Sequence, residues 1–208
     1  MASPKLKGMI FDLDGTLVDS KLDFVRMRAD IGVPENVGIL EHIERLSESA
    51  QKLAISVLRE HEMAGARAAN IIKGVPQLLE KITHHRVEKA VFTRNEREPT
   101  DFVIDRFFPG VFHSVITRAD AKPKPDPEGL LRICDSWHCS PNEVLFIGDY
   151  DYDLEAGKRA GIKTVLYLSD EPWPLYAEKA AHVTRDLQQF CDRFQDIVCS
   201  ELGFALKT

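Results

Sequence analysis

Short apolar runs alternate with longer segments of helical periodicity over most of the chain. The clearest runs lie at residues 8–11, 89–92, 114–117, 144–147 and 163–167, with a weaker one at 181–183. The segments with helical spacing lie at residues 75–83, 99–107, 127–137, 154–160 and 187–198. Such alternation is typical of a parallel sheet with crossover helices. The pattern therefore predicts an α/β fold built on a parallel sheet.

The stretch from residue 20 to residue 73 has a different pattern. It lacks convincing strands and carries apolar residues at helical spacing, namely Ile39, Leu40, Ile43, Leu46, Leu53, Ala54, Val57 and Leu58. Gly32 and Pro34 interrupt it near its start, and Gly74 and Pro76 close it. The pattern favours a small all-helical cap at residues 20–73, inserted into a core formed by residues 1–19 and 74–208. A pair of crossover helices packed flat on the sheet is the alternative.

Three of the predicted strands run directly into polar residues. Asp12 and Asp14 come after the first, Thr93 and Asn95 after the second, and Asp149 and Asp153 after the fourth. In an open parallel sheet, ligands bind outside the carboxyl ends of the strands, so these side chains are expected to line one crevice. Carboxylates gathered in a crevice repel one another and lose solvation. A hard dication relieves both costs, and Mg2+ leaves room for water and a substrate phosphate.

The same residue types suit phosphoryl transfer. Aspartate is a known covalent nucleophile in that chemistry, and a second carboxyl group two residues later can protonate the leaving oxygen and then activate water. The Thr93 hydroxyl can bind a phosphoryl oxygen, and a lysine can neutralise the charge spread over the group. Lys122 and Lys124 are the candidates for that lysine, in a loop stiffened by Pro123 and Pro125.

Composition and charge exclude several classes of protein. The 33 acidic and 27 basic residues leave a formal net charge of -6, whereas a nucleic-acid surface shows clustered lysine and arginine. No apolar run approaches the roughly 20 residues that span a bilayer, and Asp12 and Asp14 interrupt the first apolar stretch too early for a signal peptide. The four cysteines form no C-x-x-C pair, which disfavours a zinc site or a disulfide framework. We expect a cytoplasmic protein without nucleic-acid or membrane partners.

Four segments resemble, in order, the four motifs of the haloacid dehalogenase superfamily. They are Asp12-Leu13-Asp14-Gly15-Thr16-Leu17, the apolar run ending in Thr93, Lys122-Pro123-Lys124-Pro125, and Gly148-Asp149 with Asp153. Residues 153–161 also resemble the helix that follows the fourth motif in the phosphatase branch, and the likeness covers residues 7–168. The resemblance implies a Rossmann-like core with an inserted helical cap, and Mg2+-dependent phosphate-ester chemistry.

The resemblance also implies roles for the four motif aspartates. Asp12 would be the nucleophile that forms an aspartyl-phosphate, and its carboxylate would also bind the metal. Asp14 would be the acid/base, with its backbone carbonyl on the metal. Asp149 would be a further metal ligand, and Asp153 would orient a metal-bound water. Asp151 matches no position of the family and is expected to be solvated.

The remaining motif residues would hold the phosphoryl group. Thr93 would bind it, with help from Asn95. Lys122 would be the motif lysine, because the family pattern K-P-x-P begins there, and Lys124 is the alternative.

The expected function is the hydrolysis of a small phosphorylated metabolite. A phosphomutase of the same fold, acting on a sugar phosphate, is one alternative, although the predicted cap is short for shielding an aspartyl-phosphate from water. A dehalogenase is disfavoured, because that branch lacks the second aspartate and needs no metal. A non-catalytic binding protein on the same scaffold is the last alternative. Neither the identity of the substrate nor the oligomeric state follows from the sequence.

Overall fold

The computed structural model describes residues 3–168 and 173–206. Its strands, in chain order, are β1 (Gly8–Phe11), β2 (Val18–Asp19), β3 (Asn70–Ile71), β4 (Glu88–Phe92), β5 (Ser114–Ile116), β6 (Val144–Gly148), β7 (Lys163–Tyr167) and β8 (His182–Thr184). Its α-helices are α1 (Phe24–Ile31), α2 (Ile39–Ile43), α3 (Glu48–Ala68), α4 (Val75–His84), α5 (Arg97–Phe107), α6 (Glu128–Ser136), α7 (Asp151–Ala160) and α8 (Leu187–Asp192).

Six of the strands form one parallel sheet in the order β5-β4-β1-β6-β7-β8. The first strand lies at the centre, where Gly8 pairs with Glu88 on one side and with Val144 on the other. Every residue of β1 and β6 is buried, as expected for central parallel strands covered on both faces. The predicted α/β fold is confirmed, and the weak sixth candidate forms the edge strand β8.

Helices cover both faces of the sheet, and the alternation of β1 shows how. Met9 and Phe11 point into a core shared with α4, α5 and α8, whereas Ile10 points into a second core shared with α6 and α7. Successive side chains of a strand face opposite sides of its sheet. A continuous apolar run in β1 is therefore what this three-layer arrangement requires.

Two of the predicted helices differ from the structure by three residues or more in their bounds. Helix α7 begins at Asp151 rather than at residue 154, because the side chain of Asp153 accepts a hydrogen bond from the backbone N–H of Tyr150 and closes the first turn. The segment predicted as one helix over 187–198 is α8 followed by a separate turn at Asp196–Glu201. Phe194, before that turn, and Ile197, within it, are both buried, so buried apolar residues continue past the end of α8.

Residues 20–73 contain α1, α2, α3 and the short strand β3. The helices pack around a small cluster of their own, formed by Met27, Ile43, Ala54 and Leu58. Strand β3 pairs antiparallel with β2, with Val18 opposite Ile71, and so joins the two ends of the helical segment. No strand was predicted in this segment, because a two-residue strand is too short to show any periodicity.

None of the helices in residues 3–168 and 173–206 combines the length and apolarity needed to cross a membrane. All four cysteines are free thiols.

Candidate active site

The strands β4, β1 and β6 lie side by side, so their carboxyl ends share one edge of the sheet. Asp12 follows β1, Thr93 follows β4 and Asp149 follows β6. All three line one cavity of about 600 Å3, together with Asp14, Asn95, Lys124 and Asp153. The structure therefore brings together every predicted site residue except Lys122.

Three carboxylates form an acidic cluster at the base of this cavity. Asp12, Asp149 and Asp153 each offer one oxygen, and these oxygens lie within 4.8 Å of one another. Burial raises the pKa of Asp12 to about 7 although Lys124 lies beside it. Burial, and then the charges of Asp12 and Asp153, raise the pKa of Asp149 well above its ordinary value. The ionised cluster is therefore unfavourable by itself, and its oxygen donors suit a hard dication such as Mg2+.

Lys124 supplies a buried positive charge next to two of these carboxylates. Its ammonium group donates to Oδ1 of Asp12, and it donates to Oδ1 of Asp153 over 2.6 Å. Only 3% of its side chain is exposed. Burial alone would lower the pKa of Lys124, but the charges of Asp12 and Asp153 outweigh burial and raise it. Lys124 therefore remains protonated in the cluster.

Lys122, the lysine preferred from the motif, lies elsewhere. Its side chain is exposed and does not line the cavity, and its backbone N–H donates to the carboxylate of Glu128. The choice of Lys122 is corrected to Lys124, the alternative. The loop contains two overlapping K-P-x-P patterns, at residues 122–125 and 124–127. Counting from the second pattern would have selected Lys124.

Asp14 lies beside the acidic cluster and is held by two neighbours. The side-chain amide of Asn95 donates to Oδ2 of Asp14. Burial raises the pKa of Asp14, although hydrogen bonds from Ser20 and Asn95 oppose the shift. Asn95 therefore contacts the second aspartate of the first motif, and the sequence pattern contained no signal for that contact or for the one from Ser20.

Thr93 is buried at the end of β4. Its hydroxyl oxygen accepts a hydrogen bond from the backbone N–H of Asn95 over 3.2 Å. The hydroxyl proton is therefore free to be donated to a ligand in the cavity.

Gly15 permits the close approach of the first and fourth motifs. Its φ of +79° lies in the left-handed region, and a Cβ built there would lie 2.1 Å from Oδ2 of Asp149. Any larger residue would displace the carboxylate of Asp149. The glycine thus serves both the turn after β1 and the geometry of the acidic cluster.

Arg94, between the two predicted residues of the second motif, connects the helical segment to the site. Its guanidinium donates to both carboxylate oxygens of Glu41 on α2, over 2.9 and 3.1 Å, and to the backbone carbonyl of Lys124. It also stacks on the ring of Tyr152, with 4.0 Å to the ring centroid. The sequence pattern identified none of these contacts, because they join residues that are remote along the chain.

An ion pair that is more deeply buried reaches the same loop from α3. Glu62 is 5% exposed, and its carboxylate accepts from Arg118 and from the backbone N–H of Glu96. Arg118 also donates to the backbone carbonyl of Arg94 over 2.9 Å. Burial raises the pKa of Glu62, although Arg118 opposes the shift. The loop that carries Thr93 and Asn95 is thus held by carboxylates of α2 and α3.

Known proteins similar to this chain include several hydrolases. The sequence model described as haloacid dehalogenase-like hydrolase matches residues 35–167. A haloacid dehalogenase-like hydrolase domain-containing protein of Arabidopsis thaliana is 33% identical over 177 residues, which cover 79% of this chain and 72% of that protein. A phosphoglycolate phosphatase of Aquifex aeolicus is 28% identical over 181 residues, covering 78% of this chain and 85% of that protein.

A solved structure of a hydrolase from Pseudomonas syringae shares the fold, with a TM-score of 0.76 at 20% identity over 92% of this chain and 99% of that chain. The family match covers more than half of the chain and includes strands β4 to β7 with Thr93, Asp149 and Asp153, whereas β1 and Asp12 precede it. This protein belongs to the haloacid dehalogenase-like hydrolase family.

Proposed function

We propose that the protein is a Mg2+-dependent phosphatase that hydrolyses a small phosphorylated metabolite through an aspartyl-phosphate on Asp12. The observation that carries the proposal is the convergence of Asp12, Asp149 and Asp153 around Lys124 at the base of a cavity. The phosphoglycolate phosphatase of Aquifex aeolicus, similar over most of both chains, supports phosphate-ester chemistry for this chain as well.

Asp12 and Asp149 are the residues best placed to hold Mg2+, with the backbone carbonyl of Asp14 as a third ligand. Both oxygens of Asp153 already have donors, from Lys124 and from the backbone N–H of Tyr150. Asp153 therefore fits the role of anchoring Lys124 and orienting water in the metal's outer shell. A bound Mg2+ would compensate the negative charge of the carboxylates and of the phosphoryl oxygens.

The side chains of the cavity divide the reaction between them. A carboxylate oxygen of Asp12 attacks phosphorus, the ester P–O bond breaks, and Asp14 donates a proton to the leaving alkoxide. Burial raises the pKa of Asp14, which favours the protonated form needed for that donation. Water then attacks the phosphorus of the aspartyl-phosphate while Asp14 takes up its proton, and the bond to Asp12 breaks to release phosphate.

Lys124 and Thr93 act on the phosphoryl group during both steps. The ammonium group of Lys124 lies against the attacking carboxylate, where charge accumulates as the P–O bonds change. The hydroxyl of Thr93 has a proton to donate to a phosphoryl oxygen. Asn95, bonded to Asp14, orients the acid/base.

Residues 20–73 are proposed to act as the cap that encloses the substrate. Two features support this division of the chain: the antiparallel pair of β2 and β3 at its base, and the separate apolar cluster around Met27 and Leu58. The cavity lies between these helices and the sheet edge, because its lining includes side chains of α1 and α3 as well as the acidic cluster.

The test is the release of inorganic phosphate from p-nitrophenyl phosphate by the wild type, by Asp12→Asn and by Asp151→Asn. Asp151 is the matched control, since its carboxylate binds Lys179 and does not line the cavity. We expect Asp12→Asn, or EDTA, to abolish turnover, and Asp151→Asn to retain it within about twofold, the range of a neutral surface change. Full activity of Asp12→Asn would refute the proposal. Transfer of the phosphoryl group to a sugar, in place of its release, would favour the mutase alternative.

A further inference from the structure

The upper part of the cavity has a lining that differs in chemistry from its acidic base. We call it the cap chamber, and it is walled by six apolar side chains of the helical segment: Leu22, Phe24, Met27, Ile39, Leu40 and Leu58. A substrate whose phosphoryl group lies against Asp12 and Lys124 would extend its alcohol part into this chamber. The residues that line the chamber therefore indicate what kind of alcohol the substrate carries as its leaving group.

The cations that line the cavity away from the acidic cluster are already bound within the protein. The ammonium group of Lys21 donates to Oδ2 of Asp19, and its backbone N–H donates to Oδ1. The guanidinium of Arg28 donates to two backbone carbonyls, one of them that of Val37 over 2.8 Å. The ammonium group of Lys21 is therefore paired with a carboxylate, whereas the guanidinium of Arg28 is held by the backbone of the helical segment.

Arg94, the remaining cation of the lining, has the most complete set of partners. Its Nη2 donates to both carboxylate oxygens of Glu41, and its Nη1 donates to the backbone carbonyl of Lys124. A substrate carboxylate at Arg94 would compete with Glu41 for the same guanidinium, and a displaced Glu41 would lose its counter-charge at the cavity edge. Among residues 3–168 and 173–206, each cation of the upper lining thus already has hydrogen-bond partners within the protein, and a second anionic group would have to compete with them. Outside these ranges the sequence contains one further basic residue, Lys207.

The volume of the cavity also favours a substrate with a bulky alcohol part. A cavity of about 600 Å3 lies within the range of sites that enclose molecules of drug size. A two-carbon phosphate would fill only its acidic base and leave the apolar walls in contact with water. An alcohol part with a broad apolar face would cover those walls and gain their burial.

On the basis of the proposed phosphatase function, we infer that the natural substrate is a phosphomonoester of a bulky, uncharged alcohol with an apolar face. By the same reasoning, short phosphate esters that carry a carboxylate are poor substrates. Buried Glu62 and the paired arginines then act on the shape and polarity of the chamber and not on a second anion.

Three synthetic phosphate esters of primary alcohols test separately how the charge and the size of the alcohol part affect hydrolysis. Benzyl phosphate and 4-carboxybenzyl phosphate differ only by a carboxylate, and benzyl phosphate and ethyl phosphate differ in the bulk of the alcohol. We expect kcat/KM for benzyl phosphate to exceed that for each of the other two by about tenfold or more, because an unpaired carboxylate is costly to bury and a small alcohol leaves the walls uncovered. Phosphoglycolate should be a poor substrate as well.

Two matched variants locate the effect in the chamber. Phe24→Arg places a cation on the chamber wall, whereas Val25→Arg places one on the next residue of α1, outside the lining. Both positions are exposed, 58% for Phe24 and 80% for Val25, so both variants should fold. We expect Phe24→Arg to reduce the preference for benzyl over 4-carboxybenzyl phosphate by about fivefold, as one added charge pair would, and Val25→Arg to leave it unchanged.

The outcomes distinguish the two proposals. Hydrolysis of 4-carboxybenzyl phosphate or phosphoglycolate at least as efficiently as benzyl phosphate would overturn the inference and leave the phosphatase function intact. An unchanged preference in Phe24→Arg would also overturn it, because the alcohol part would then lie outside the chamber. Absence of phosphate release from every ester would overturn the phosphatase function, and the inference with it.

Discussion

The ammonium group of Lys124 lies 2.6 Å from a carboxylate oxygen of Asp153, on the first turn of α7. The same ammonium group also donates to Asp12, after β1. One lysine therefore connects the ends of two neighbouring strands, β1 and β6, through the residues that follow them. Because the lysine is buried, it makes a large contribution both to the charge balance of the site and to its geometry.

Removing this ammonium group should affect activity and stability together. We expect Lys124→Ala to lower kcat for p-nitrophenyl phosphate by about 100-fold or more, and to lower the unfolding free energy by about 3 kcal/mol, because two buried carboxylates lose their counter-charge. Phosphate release and urea denaturation measure the two effects. Lys122→Ala is the matched control and should change neither. A larger loss in Lys122→Ala than in Lys124→Ala would restore the motif assignment to Lys122.

Replacing Asp149 by a neutral residue should have opposite effects on the stability of the metal-free protein and on its binding of Mg2+. In EDTA, we expect Asp149→Asn to raise the unfolding free energy by about 1 kcal/mol, or roughly 2–4 °C in Tm, because burial and the neighbouring carboxylates raise the pKa of Asp149. Added Mg2+ should then stabilise the wild type and leave the variant unchanged. Thermal melts with and without Mg2+ report both effects. A variant that Mg2+ stabilises as strongly as the wild type would remove Asp149 from the metal site.

The close approach of Gly15 to Asp149 can be tested with a second glycine of similar backbone conformation. Gly15 and Gly110 have φ values of +79° and +71°, but a Cβ on Gly110 meets nothing within 4 Å. Both alanine variants should lose about 1 kcal/mol from backbone strain. Only Gly15→Ala should also weaken Mg2+ binding, because its Cβ would displace the carboxylate of Asp149. Titration of Mg2+ by calorimetry distinguishes the two, and equal Mg2+ affinity in both variants would contradict the proposed role of Gly15.

Glu62 should give the protein a pH-dependent stability. Burial raises its pKa above the ordinary value of 4.5, with Arg118 opposing the shift. The folded state therefore binds the proton of Glu62 more tightly than the unfolded state does, and stability falls as the pH rises from about 4.5 through the folded pKa. Glu62→Gln has no proton to lose at this position. In urea denaturation between pH 5 and pH 8, the wild type should lose stability relative to Glu62→Gln as the pH rises, by at most about 1.4 kcal/mol per pH unit. A wild type that gains stability relative to the variant over this range would reverse the assigned sign.

Much of the fold and of the site was accessible from the pattern of residues. Apolar runs followed by Asp12, Thr93 and Asp149 marked three strand ends, and the rule that parallel strands present ligands at their carboxyl ends placed these residues together. The bounds of the strands agree within a residue or two, because buried parallel strands are continuous apolar runs. The start of α7 was missed by three residues, because it depends on the side chain of Asp153 capping its own helix.

The sequence motif fits both Lys122 and Lys124, and only the tertiary structure distinguishes them. Two overlapping K-P-x-P patterns offer both lysines, and spacing alone does not rank them. Burial ranks them, because only Lys124 reaches the carboxylates of Asp12 and Asp153. Burial of a charged side chain depends on which partners the fold brings within a few Å, and these partners lie 112 and 29 residues away along the chain.

The sequence by itself determined the class of fold, the strand ends that carry the chemistry, and the excess of carboxylates that calls for a cation. These properties depend on local periodicity and on general rules for parallel sheets. The tertiary structure alone decided which lysine enters the acidic cluster, and how Glu41 and Glu62 of the helical segment hold the loop after β4 through Arg94 and Arg118. It also decided which carboxylates and backbone carbonyls the arginine and lysine side chains of the cavity wall contact. The physical reason is that ion pairs between remote segments depend on the relative placement of whole helices, which short-range sequence patterns do not encode.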